Sequence, residues 1–350
     1  MRASKFLALC ICLCITVSAV MFAGGEFSKI YSAAVNFSSS LQMLTIGYSS
    51  AALSKNQALE QGENDVQKEN ETFEEKGAAN SETRPTDVET GEIKTVALET
   101  SSANSSAEGI HYNNSTGVEI DVASLLSEGL PFSIEDTNEP QVLIYHTHGT
   151  ESYAQSDNGY YVKEGDSSRS TDTSKNTVRV GDAIAEVLNN NGIVTINDRT
   201  MHDKDSYSGS YSRSEATVRS YLEKYPSIKV VIDGHRDAIT QSNGTKIKPT
   251  AIINGKSAAQ VMVLAGCESG DVTGFPNWKE NLRFNLLLQR QLENDYPGLA
   301  RTMTFKSCKY NFDILNGSIL LEIGSEANTL EEAIYSGELI GNALVKIFKT

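Results

Sequence analysis

Beyond its N-terminus this 350-residue chain has little cysteine and no disulfide framework. Three of its five cysteines (Cys10, Cys12, Cys14) sit in an apolar leader, and Cys267 and Cys308, far apart, make no Cys-x-x-Cys zinc motif. No Lys/Arg cluster stands out against a net charge of -15, so the basic stripe that a phosphate backbone requires is absent and no nucleic-acid partner is expected. There is no Gly-x-Ser-x-Gly elbow and no phosphate loop, which removes two common chemistries of α/β folds. No internal repeat is visible.

What is present is uneven along the chain. Arg2 and Lys5 precede a charge-free run, Phe6 to Ala23, that fits a signal peptide or a membrane anchor. Ser18-Ala19-Val20 and Phe22-Ala23-Gly24 are weak exits for a signal peptidase, so an uncleaved anchor (residues 1–23) is expected. The two positive charges then place everything after Gly24 outside the cytoplasm, a single-pass arrangement at the cell membrane. Residues 24–53 form a moderately apolar juxtamembrane segment. Residues 54–108 are rich in Glu, Asn, Ser, Thr and Gln, with Phe73 the only aromatic residue. Such a stretch buries too little apolar surface to offset its ordering entropy and reads as a disordered linker, on the order of 40 Å end to end as a flexible coil.

Residues 109–350 read as one globular domain. Strand-like runs (Val142–Tyr145, Gly192–Asn197, Lys229–Asp233, Ala251–Asn254, Gln260–Ala265, Ser318–Glu322) alternate with helix-like ones (Asn176–Asn190, Ser212–Tyr225, Asn277–Asp295, Thr329–Phe348). That alternation predicts an α/β fold, a parallel or mixed central sheet with helices on both faces.

Chemistry gathers where three apolar runs end. Val142-Leu143-Ile144-Tyr145 leads into His146-Thr147-His148-Gly149-Thr150-Glu151, in which one short turn presents the imidazole of His148 and the carboxylate of Glu151 together. Val230-Val231-Ile232 leads into Asp233-Gly234-His235-Arg236-Asp237, and Ile319-Leu320-Leu321 into Glu322. Imidazole plus carboxylate ligation suits zinc (Zn2+), and a catalytic zinc keeps three protein ligands and an open position. His148, Glu151 and His235 are the expected ligands. Glu322, its proton affinity raised by apolar neighbours, is the expected general base and acid, and the open coordination position, or Arg236 beside it, is expected to hold the oxyanion. Strand alternation points His146 to the side of His148, as a further ligand, an outer partner, or a histidine bonded to backbone. Asp233 and Asp237 read as carboxylates orienting His235. Cys267, after a strand, is an alternative nucleophile paired with His235, but it leaves His148/Glu151 unexplained. His111 and His202, in polar surroundings, have no expected role. Tyr145 and Tyr153 read as packing or substrate-lining.

Four runs taken together are familiar: Ile144-Tyr145-His146-Thr147-His148-Gly149-Thr150-Glu151-Ser152-Tyr153; Asp233-Gly234-His235-Arg236-Asp237; Tyr296-Pro297-Gly298-Leu299-Ala300-Arg301; and Leu321-Glu322-Ile323-Gly324 with Asn328-Thr329-Leu330-Glu331-Glu332. In this order they resemble the stage II sporulation protein P family, from about residue 110 to the end. The resemblance implies an amidase or zinc-carboxypeptidase-like fold and a membrane-anchored peptidoglycan hydrolase, similar to zinc-dependent N-acetylmuramoyl-L-alanine amidases. It further implies endopeptidase activity on cross-links, a role in forespore engulfment between the mother-cell and forespore membranes, and partnership with sporulation membrane proteins D and M. By position, His148 and His235 match zinc-ligand histidines and Glu322 the catalytic glutamate. The related amidases place a glutamate at the start of the helix after the first strand, where this chain has Ser174-Lys175-Asn176-Thr177-Val178. Glu151 is the expected substitute, with Asp172 as the alternative. A non-catalytic, anchored wall-binding or scaffold protein with a degenerate site is the competing reading.

Overall fold

The computed structural model describes residues 84–100, 103–165 and 168–349. The expected anchor (1–23), the juxtamembrane segment (24–53) and the first part of the expected linker lie outside the described residues. Among the described residues no helix is long and apolar enough to cross a membrane.

In chain order the elements are β1 (Thr90–Val96), β2 (Ser105–Ala107), β3 (Ile110–Asn114), α1 (Val122–Ser127), β4 (Val142–Tyr145), β5 (Tyr160–Val162), α2 (Thr177–Asn190), β6 (Thr195–Asn197) and α3 (Ser210–Lys224). There follow β7 (Val230–Asp237), β8 (Lys246–Ile253), β9 (Lys256–Ala259), β10 (Val261–Cys267), α4 (Trp278–Asp295), β11 (Met303–Ser307), β12 (Gly317–Ser325) and α5 (Leu330–Phe348). Eight strands form one sheet in the order β2-β3-β11-β10-β12-β7-β4-β6. Neighbours run parallel except at β2/β3 and β10/β12, so the sheet is mixed.

All four residues of β4 are buried because both faces of the sheet are covered. Val142, Ile144, Val230 and Ile232 pack with Ile184 and Leu188 of α2, Leu288 of α4 and Ile340 and Leu344 of α5. On the opposite face Leu143, Tyr145 and Val231 meet Val218 of α3, while Leu264 and Leu320 meet Phe275 and Phe312. The expected α/β architecture with helices on both faces is therefore present. Thr329 and Glu332 close a reciprocal capping box at the start of α5, with Lys346 in its last turn, so the helix is well terminated at both ends.

Two expectations need correction. First, β1 and β2 fall inside the span expected to be disordered linker. A four-stranded sheet, β5-β1-β8-β9, holds β1 antiparallel to β5 and parallel to β8. In its sequence Thr-Gly-Glu-Ile-Lys-Thr-Val only Ile93 and Val96 are large and apolar. Its order comes from partners about 70 and 150 residues later in the chain, which local composition does not reveal. Second, β7 runs on through His235 to Asp237, and β12 beyond Glu322 to Ser325. His235 and Glu322 are therefore strand residues rather than strand ends. Cys267 and Cys308 are both free, in keeping with the absence of a disulfide framework. Cys267 is in register with Ser307, Cys308 follows the end of β11, and the two thiols belong to different packing clusters.

Candidate active site

The site forms on the face that carries α3. In the parallel ladder of β12 and β7, Glu322 is the register partner of His235, so both side chains leave the sheet on the same face as neighbours. Register also places Asp233 beside Tyr145, the last residue of β4. There the chain leaves the strand. Thr147 donates its backbone N–H and its hydroxyl to Asp233 (2.9 and 2.6 Å), and its Oγ1 lies 2.8 Å from Ser214 Oγ of α3. The backbone then closes one turn, with Glu151 N–H donating to His148 C=O at 2.9 Å. Both side chains of the His-x-x-Glu pair thereby reach His235. The rings of His148 and His235 stand 5.3 Å apart and nearly perpendicular, at 85°. Glu151 Oε2 lies 3.5 Å from His235 Nδ1 and accepts the Arg236 backbone N–H at 3.2 Å. His235 Nε2 is 3.0 Å from Asp233 Oδ1, poorly aligned for a hydrogen bond.

The electrostatics fit a cation-binding pocket. Burial opposes any charge on His235, yet Asp233 and Glu151 on its two sides raise its proton affinity well above the ordinary value. Against the same burial, His235 and Arg236 pull Glu151 down to about 2. Burial, followed by the neighbouring His235, lowers His148 to about 4, so it is neutral and available as a donor. Burial pushes Glu322 up to about 8, with Asp237 adding to the rise. Three buried atoms without a hydrogen-bond partner belong to this group: His148 Nδ1, His235 Nε2 and Glu322 Oε2. Native interiors rarely leave such atoms unsatisfied. The donors that could hold a metal are thus His148, His235 and Glu151, although among the described residues no three His, Cys, Asp or Glu side chains already form a closed ligand set.

Other expected site residues lie elsewhere. Arg236 is not an oxyanion donor here. Next to His235 on β7 it points the other way, and its guanidinium donates to the carbonyls of Ser152 (3.1 Å) and Ser168. It ties the Glu151 segment to the 168–170 loop. His146 does not share the side of His148, because alternation ends with β4. Its ring lies between Gly181 and Gly234, where a Cβ would come within 2.8 and 2.9 Å of it. Its nitrogens lie 2.9 Å from Gly234 C=O and 3.0 Å from Asn197 Oδ1. Asp172 bonds its own loop through Ser174, and its carboxylate is half exposed. Asn176 caps α2 by accepting Val178 N–H (3.1 Å), while Glu151 C=O accepts Thr177 N–H at 2.9 Å. The Glu151 segment therefore abuts the helix start that carries no carboxylate of its own.

Sequence reasoning missed Arg169, Asp203, Tyr207 and the support given by His202. They come from polar loops with no hydrophobic period, so no signal marked them. Asp203 accepts from Thr150 N–H (3.1 Å), Thr150 Oγ1 and Arg169, and buried His202 bonds His146 C=O at 3.0 Å, bracing the turn after β4.

A family model described as Stage II sporulation protein P (SpoIIP) matches residues 36–345. The chain belongs to this family. The Stage II sporulation protein P of Bacillus subtilis (strain 168) is 32% identical over 202 residues, 55% of this chain and 47% of that protein. The match thus spans about half the length of the relative. Among solved structures, N-acetylmuramoyl-L-alanine amidase AmiC2 of Nostoc punctiforme is similar at 12% identity and TM-score 0.32, covering 61% of this chain and 97% of that one. The CwlD amidase from Clostridioides difficile, in complex with the GerS lipoprotein, is similar at 12% identity and TM-score 0.36, covering 60% and 96%. At these scores the chemistry of the SpoIIP chain must be read from its own side chains.

Proposed function

We propose that this SpoIIP-family chain is a peptidoglycan hydrolase of the N-acetylmuramoyl-L-alanine amidase type, with zinc held by His148, Glu151 and His235. The observation that carries the reading is the register pairing of Glu322 with His235, which sets a carboxyl whose buried Oε2 has no hydrogen-bond partner against the imidazole that His148 and Glu151 converge on. When bound, zinc would supply Lewis-acid polarisation of the attacking water and of the amide carbonyl. Glu322, a carboxyl with a proton affinity near neutrality, takes the proton of that water and returns it to the departing amine. Asp233, itself fixed by Thr147, lies 3.0 Å from the Nε2 edge of His235, whose Nδ1 edge faces Glu151. Arg236 keeps Glu151 in place through its backbone N–H, which the carboxylate accepts, and its guanidinium on the next carbonyl, that of Ser152. No arginine in this arrangement is assigned to the oxyanion.

The test is digestion of purified cell wall. The wild-type chain should release new amino termini and bind one zinc, and Glu322→Gln should keep the metal and lose the cleavage. Full activity in that variant would falsify the assignment. The open ligand geometry favours one other reading, an anchored wall-binding or scaffold protein, which would bind wall with no stoichiometric zinc and release nothing. An N-terminal anchor, placement of the domain outside the cytoplasm between mother-cell and forespore membranes, added endopeptidase action and partnership with sporulation proteins D and M belong to the same proposal. Pull-down of the partners from sporulating cells and protease accessibility of the intact membrane test them.

A further inference from the structure

Tyr207 is one of three large apolar residues exposed among the described residues, at 41%. An exposed aromatic residue is unremarkable alone, but this ring lies flat on His148, centroids 4.3 Å apart and planes within 7°. The Arg169 guanidinium is 5.0 Å from the centroid of the same tyrosine ring. Arg169 also binds the buried carboxylate of Asp203, donates to Thr150 Oγ1 at 3.0 Å, and brings Nη2 to 3.7 Å from Glu151 Oε1. Asp203 in turn holds the Thr150 backbone and comes within 3.9 Å of His148 Nδ1. One tyrosine, one arginine and one aspartate from two loops thus converge on the turn that presents His148 and Glu151.

Resting on the reading above, we infer that Tyr207, Arg169 and Asp203 are a clamp that positions His148 and Glu151 for the metal. The physical logic is specific. Stacking fixes the plane of an imidazole without consuming either ring nitrogen, whereas a hydrogen bond fixes it by occupying one. His148 has no hydrogen bond to Nδ1, so ring contacts set its tilt, with the stacked Tyr207 closer than the edge-on Tyr211 at 5.7 Å. Arg169 sets the second ligand from the same spot, as its charge faces the carboxylates of Asp203 and Glu151 together. Tyr207 acts through its ring and Arg169 through its fork, so phenylalanine should replace the first and lysine should not replace the second.

The experiment uses the full chain with Tyr207→Ala, Tyr207→Phe and Arg169→Lys. Zinc affinity is measured by competition with a chromogenic chelator, and amide hydrogen exchange over residues 148–153 is followed in metal-stripped protein. Tyr207→Ala should weaken zinc about 10- to 100-fold and speed exchange in 148–153, at an unchanged melting temperature. Tyr207→Phe should match wild type in both assays, and Arg169→Lys should resemble the alanine variant. Wild-type affinity and protection in Tyr207→Ala, or a defect in Tyr207→Phe equal to that of alanine, overturns the clamp. If the wild-type chain takes up no zinc, the amidase reading fails, and the exchange comparison still decides whether these side chains order the turn.

Discussion

His146 and His148 are two residues apart, both buried, and in opposite situations. His146 is walled in by two glycines, with a partner at each nitrogen, on the side of the sheet that α2 covers. His148 lies past the strand, its plane set by a tyrosine and one nitrogen left without a hydrogen bond. The first arrangement spends the imidazole on structure, and the second keeps it available. Hydrogen-bond satisfaction, more than burial or position, separates a histidine that holds the fold from one that can hold a ligand.

Exchanging the roles is the strongest way to break this contrast. His148→Ala or His235→Ala should abolish both zinc uptake and wall cleavage, and Glu322→Gln should cut turnover by about 10²–10⁴-fold with zinc still bound; turnover on purified wall and metal content check both. His146→Ala should instead leave metal uptake per folded molecule unchanged and cost about 2–3 kcal/mol of stability, read by denaturant unfolding. Arg236→Ala should cost about 2 kcal/mol of stability, because it strands carbonyls of Ser152 and Ser168, and should also weaken zinc binding by loosening the Glu151 segment. Loss of turnover at full stability in that variant would return Arg236 to the chemistry.

A pH series sharpens the contrast further. Folding raises the proton affinity of Glu322 to about 8, so its contribution is fully present below the ordinary carboxyl range and is lost as pH rises toward 8. In metal-stripped protein, Glu322→Gln should therefore gain stability over wild type as pH climbs through that window. A constant difference between pH 5 and 8 would mean that the carboxyl is not held protonated. The smallest effect belongs to Asp172→Ala, whose carboxylate serves only its own loop and whose loss should leave zinc affinity unaltered.

The central strands were legible because β4, β7 and β12 are continuous apolar runs, and the chemical residues follow those runs directly. Their mutual placement was not. That Glu322 stands beside His235 depends on the register of two strands about 85 residues apart, and register is set by whole-sheet packing rather than by either segment. Alternation misled at His146 because it holds only while the chain remains in a strand, and β4 stops at Tyr145. Arg236 was misassigned for the complementary reason: β7 continues, so adjacent residues face apart. The clamp residues were invisible, since polar loops encode their contacts in three dimensions alone.

The domain boundary suggested by composition, residue 109, carries a practical warning through β1. Among the described residues this strand is the only hydrogen-bonded neighbour of β5, and it fills the flank of β8 in the small sheet. A recombinant fragment starting at 109 would leave β8 with a bare row of amides and carbonyls, an invitation to stick to other copies. It would also unmoor the segment leading to Ser168 and Arg169. Poor behaviour of such a fragment would say nothing about its chemistry, and expression should begin upstream of Arg84.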